Sequence, residues 1–173
     1  MVAPQRKPFL RILSIFAASM ALLLIAIALP GRNPAGHRAY PAEPWTAAQT
    51  VQPAALASEL KQEKDPSLKV VCVGFHTLYR GAHIPGAVFR GPGSSAQGIA
   101  DLKQYAATLP KNSNIVLYCG CCPLEKCPNI RPAFSALQDM GFTRLRVLIL
   151  PTSFAADWVE KGYPVEKSLP ASQ

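Results

Sequence analysis

The stretch Asn114-Ile115-Val116-Leu117-Tyr118-Cys119-Gly120-Cys121-Cys122-Pro123-Leu124-Glu125-Lys126-Cys127-Pro128-Asn129-Ile130-Arg131 decides how the rest of the chain is read. Its first five residues form a short apolar run with β-branched centres, the pattern of a strand buried on both faces. From Pro132 to Met140 the spacing turns helical, and Gly141 stands where a left-handed C-terminal cap is wanted. A strand that passes through a loop into a helix sets the loop at the strand's carboxyl end, where parallel α/β sheets gather their reactive groups. Cys119 opens that loop, and four of the chain's five cysteines fall between Cys119 and Cys127.

The same alternation continues outward. Val51, Leu56, Ala57 and Leu60 share a helical face, with Thr50 as the expected N-cap and Pro53 in the first turn. Lys69 to Val73 predicts a buried strand, with Cys72 an inert core thiol. Ile99, Leu102, Ala106 and Leu109 predict a second helix, stopped by Pro110. Arg146 to Leu150 reads as another strand, and Phe154 to Lys161 as a last helix ending at Gly162, with Trp158 in the core. Short apolar strands alternating with helices predict a single α/β domain with a mostly parallel central sheet flanked by helices.

Ile12 to Leu29 carries no charge. As a helix it spans about 27 Å, near the hydrocarbon thickness of a bilayer. It exceeds a secretory core in length and so predicts a retained anchor, although Ala26-Ile27-Ala28 resembles a cleavage site and leaves a secreted form as the alternative. Arg6, Lys7 and Arg11 precede the run, and no acidic residue occurs before Glu43, which holds the N-terminus in the cytoplasm. The rest is expected outside it, on the periplasmic or extracellular face. The organisation predicted is an anchor or signal segment over 1–29, a Pro/Ala-rich tether over 30–49, the α/β domain over 50–167 and a tail over 168–173.

The formal net charge of +8 is scattered, with no basic stripe and no aromatic-rich basic face, which argues against nucleic acid as a partner. A mild cationic balance suits a small anionic substrate, here a sulfur-containing anion if the cysteine loop is the site, or means only good solubility. Lys126 and Arg131 are the cations of the cysteine loop, and the N–H groups of a strand-to-helix loop can cradle an anion. Such surroundings lower a thiol's pKa, so Cys119 is expected to be an exposed thiolate and the nucleophile. Gly120, Cys121, Cys122, Lys126, Cys127 and Arg131 are the residues expected to form the loop around the substrate anion.

At this point the sequence resembles the rhodanese family over residues 50–166. The carriers are the turn Ala82-His83-Ile84-Pro85-Gly86-Ala87, the strand and cysteine Ile115-Val116-Leu117-Tyr118-Cys119, and Trp158 followed by Gly162-Tyr163-Pro164-Val165. The resemblance implies a sulfurtransferase that carries sulfane sulfur as a persulfide on Cys119, passes it to a thiol acceptor and needs no cofactor. His83 is then a scaffold residue of its turn. The sequence departs from the family in three places. Cys72 and Gly74 stand where an Asp-x-Arg pair is usual, Ala82 replaces a glycine, and the loop after Cys119 is longer.

The extra cysteines leave alternatives open. In an oxidising compartment they pair as a structural disulfide, or one resolves an oxidised or persulfidated Cys119, with a thiol-redox protein as partner. Adjacent Cys121 and Cys122 do not suit each other's disulfide geometry. A non-catalytic module that binds zinc or copper(I) is a further reading. The run C-x-C-C-x4-C is not two separated C-x2-C knuckles, however, and no histidine lies nearby, so no metal ligand is assigned.

Overall fold

The computed structural model describes residues 43–168. The expected membrane segment over 1–29, the tether up to residue 42 and the tail beyond Ser168 lie outside the described residues. Among the described residues no helix is long and apolar enough to cross a membrane.

Five parallel strands form one sheet in the order β1-β5-β4-β2-β3. They are β1 Thr50–Val51, β2 Leu68–Cys72, β3 Val88–Phe89, β4 Asn114–Tyr118 and β5 Arg144–Leu148. Four helices connect or cover them: α1 Pro53–Gln62, α2 His76–Gly81, α3 Ala96–Ala107 and α4 Ile130–Asp139. A π-helical turn over Ala155–Val159 completes the core. The α/β class and the parallel sheet stand as expected.

Two apolar clusters sandwich the sheet, and strand alternation assigns residues to them. Val71, Val73, Ile115, Leu117 and Cys119 pack with Leu102 of α3 and with Ile130, Ala133, Phe134 and Leu137 of α4. Val70, Cys72, Val116 and Tyr118 pack on the other side with Leu56, Leu148, Phe154 and Trp158. Cys119 therefore extends the odd-numbered face of β4 toward α4, whereas Cys72 lies on the opposite face.

Several local expectations are corrected. Thr50 is not a helix cap. It pairs with Val147, and Val51 with Leu148, as the sheet edge, and α1 starts at Pro53 behind Gln52. β5 begins two residues earlier than the apolar run suggests, because its first residue Arg144 still pairs with Asn114. The last helix is the π-helical turn, with Trp158 fully buried and its indole N–H donating to the Pro164 carbonyl at 2.9 Å. The end of the expected tether is docked: Trp45 meets Phe134 edge-on at 5.4 Å, and Glu43 pairs with Arg131.

At the amino ends of the strands lies a polar cleft of about 520 Å³, lined by Glu59, Asn114, Arg144 and Arg146 among others. Arg146 grips Glu59 with both terminal nitrogens, at 2.8 and 2.7 Å, and its Nε donates to Asn114 Oδ1 at 3.0 Å. This hydrogen bonding lowers the Glu59 pKa below its ordinary 4.5. A depressed folded-state pKa stabilises above the unfolded value and loses that effect as pH falls through the folded one. Arg146→Met is therefore expected to cost about 1 kcal/mol at neutral pH, the pair being half exposed. That difference, read from urea midpoints, should shrink steadily below pH 4.5.

Candidate active site

Cys119 leaves the carboxyl end of the central strand β4, and Gly120 makes the turn that follows at φ +75°. Room for the cysteine comes from the neighbouring strand end. A Cβ on Gly74 would stand 2.7 Å from the Cys119 carbonyl oxygen and 3.1 Å from its sulfur. The position where the family carries the arginine of its pair is thus, in this chain, the one that must stay bare.

The loop then folds back over the start of α4. Cys119 Sγ lies 3.1 Å from Cys121 Sγ, and Cys121 Sγ lies 3.2 Å from Cys122 Sγ. The sulfurs of Cys119, Cys121 and Cys127 all fall within 4.8 Å of one another, and every cysteine is a free thiol. Fully buried Asn129 ties the group together. Its Nδ2 donates to Cys119 Sγ at 3.3 Å and approaches Cys121 Sγ at 3.8 Å, while its Oδ1 accepts the Ser94 N–H at 3.0 Å. No sequence signal singled out Asn129, because an asparagine next to proline reads first as a turn residue.

The ionisation differs from the expectation. Cys119 is buried, 5% exposed. The neighbouring Cys127 sulfur, together with burial, pushes the Cys119 thiol far above the ordinary range. Cys127 moves the other way, down to about 6, under the influence of the Cys119 thiol and of the backbone N–H groups of Asn129 and Ile130 at the start of α4. Both shifts favour negative charge on Cys127, three residues ahead of α4, over Cys119. Burial raises Cys122 to about 12 and Cys72 to about 11.

The two candidate cations do not face the sulfurs. Arg131 donates to the carbonyls of Leu124, Glu125 and Cys127 and to the Glu43 carboxylate, so it braces the loop from outside. Lys126 is exposed in the single helical turn Leu124–Lys126. His83 serves its turn: Nδ1 meets the Tyr79 carbonyl at 2.8 Å, and the ring stacks on Tyr79 at 4.0 Å.

Beside the cysteines opens a cavity of about 410 Å³. Cys119, Gly120 and Cys121 line it, with Leu78, Tyr79, Tyr118, Phe154 and Val159, and none of its lining residues is charged. Leu78 at 51% exposure and Val159 at 38% give it an apolar rim.

No protein-family model and no curated protein matches the sequence. Solved structures do. A protein from Bacillus halodurans superposes with a TM-score of 0.54 at 24% identity, over 72% of this chain and 80% of that one. The rhodanese-like domain of an Anabaena protein gives 0.50 at 23%, over 72% and 86%. Thiosulfate sulfurtransferase from Pseudomonas aeruginosa gives 0.52 at 25%, over 73% of this chain but 20% of that one. These likenesses establish the rhodanese-like fold.

Proposed function

We propose that this rhodanese-like fold works as a sulfurtransferase, accepting sulfane sulfur on Cys119 and passing it to a thiol. The single observation that carries the reading is the place of Cys119, at the carboxyl end of the central strand and lining the cavity. The Cys119 thiol releases its proton as its sulfur attacks the outer sulfur of a persulfide donor, and that proton ends on the departing thiolate. The products are a Cys119 persulfide and the donor thiol. The uncharged, apolar walls favour an organic persulfide over a small oxyanion.

The charge-free run Ile12–Leu29 behind three basic residues supports membrane attachment, with this domain on the outer side. The domain assignment over 50–167 belongs to the same proposal. A thiol-redox module is the second reading, favoured by the 3.1 Å between Cys119 and Cys121 sulfurs. One experiment separates the two. Reduced protein is loaded with an organic persulfide, desalted and given an excess of a small thiol. The sulfurtransferase reading expects one sulfur gained per chain and released as the acceptor's persulfide. Conversion to an internal disulfide without sulfur transfer would favour the redox reading.

A further inference from the structure

We propose that Cys119, Cys121 and Cys127 form a three-thiolate site for a soft monovalent metal ion, copper(I). Three backbone segments converge to make it: the end of β4, the first turn of the loop, and the approach to α4. Their three sulfurs lie within 4.8 Å of one another, close enough for one ion to touch all three with small side-chain adjustments. The donor set is sulfur alone, which selects thiophilic metals over those that prefer imidazole or carboxylate.

The number of donors narrows the choice. Structural zinc closes with four ligands. Cys122 comes within 3.2 Å of Cys121 but is outside the mutual triad, and Cys72 belongs to the other face of the sheet. Copper(I) is satisfied by two or three thiolates. The surroundings also suit an electron-rich sulfur cluster. Asn129 Nδ2 points at two of the sulfurs, and the third belongs to Cys127, three residues ahead of α4. Arg131 pins the Leu124, Glu125 and Cys127 carbonyls, which holds the far ligand in place. Binding displaces the thiol protons to solvent and leaves the copper oxidation state unchanged.

The continuous C-x-C-C-x4-C spacing offers a zinc or copper(I) module only as an alternative and assigns no ligands, because it hides which three sulfurs the loop brings together. The site shares Cys119 with the sulfur chemistry but does not depend on it, so metal and sulfane sulfur compete for the same thiol.

The test is an anaerobic titration of the reduced full chain in detergent, with copper(I) supplied from a chromophoric chelator. One equivalent should transfer to the protein, and X-ray absorption should show three sulfur neighbours. Cys121→Ser should weaken binding by roughly 100-fold or more, whereas Cys122→Ser and Cys72→Ser should change it less than about threefold. Cys121→Ala, with its thermal unfolding compared to wild type, controls for a folding defect. No copper taken from the chelator, a four-sulfur shell including Cys122, or Cys121→Ser binding as tightly as wild type would overturn the site. Sulfur loading of metal-free wild type is scored separately, so either idea can fail while the other stands.

Discussion

The Cys119→Ser protein takes up sulfane sulfur from an organic persulfide roughly a thousandfold more slowly than wild type, and keeps its fold. Serine matches the shape of cysteine, so the packing around residue 119 with Val73, Leu117 and Ile130 changes little. Asn129 retains an acceptor for its amide. A hydroxyl neither ionises in a buried place nor attacks sulfur, so only the chemistry is lost. Cys72→Ser is the matched control. Cys72 also lines the cavity, but it belongs to the opposite apolar cluster and burial holds its thiol near 11, so loading should be unchanged. Mass spectrometry of the intact chains, before and after reduction, measures both.

Gly120→Ala should destabilise the domain by about 3 kcal/mol, enough to lower the melting temperature by roughly 10 °C. Two costs add. The residue sits at φ +75°, where a side chain is strained. A Cβ there would also come within 2.4 Å of the Phe154 Cβ. Phe154 cannot give way freely, because it faces Tyr118 at 5.4 Å and stacks on Trp158 at 6.1 Å. Its own N–H donates to the Gly120 carbonyl at 3.1 Å. Differential scanning calorimetry checks the shift. Phe154→Ala keeps the clashing Cβ, so in the Gly120→Ala background it should recover little of the steric cost and none of the backbone strain.

The parts of the fold legible in the sequence are those where burial acts on both faces of an element. Asn114–Tyr118 is bounded where the apolar run ends, since a central parallel strand permits no polar alternation. The register of the odd-numbered face, which points Cys119 at α4, follows from the same strand. Thr50 was misread because threonine before a proline-initiated helix fits a cap equally well. Its two-residue strand exists only through pairing with β5, a partner nearly a hundred residues away. The two-residue β3 and the six-residue α2 are too short for any period to show.

For the site, residue type located the chemistry but not its direction. Four cysteines in one loop announce sulfur chemistry, and a cysteine after the best strand names the first candidate. Which sulfur favours the negative charge depends on the Cys119 thiol beside Cys127 and on backbone N–H groups at the start of α4, and together these favour Cys127. Arg131 shows the same limit. A guanidinium beside a cysteine loop suggests an anion site, yet its two terminal nitrogens are spent on loop carbonyls and Glu43. Asn129 closes the loop through contacts to Ser94 and Cys119, neither adjacent in the chain, so no local pattern reveals it.

The account turns on which sulfur first receives the transferred atom. Reduced, metal-free wild type is exposed briefly to one equivalent of an organic persulfide, blocked, digested and sequenced by fragment-ion mass spectrometry. One sulfur mass should be found on Cys119, with Cys121, Cys122 and Cys127 bare at the shortest times. First appearance of that sulfur on Cys127 or Cys121, with Cys119 unmodified, would contradict the assignment.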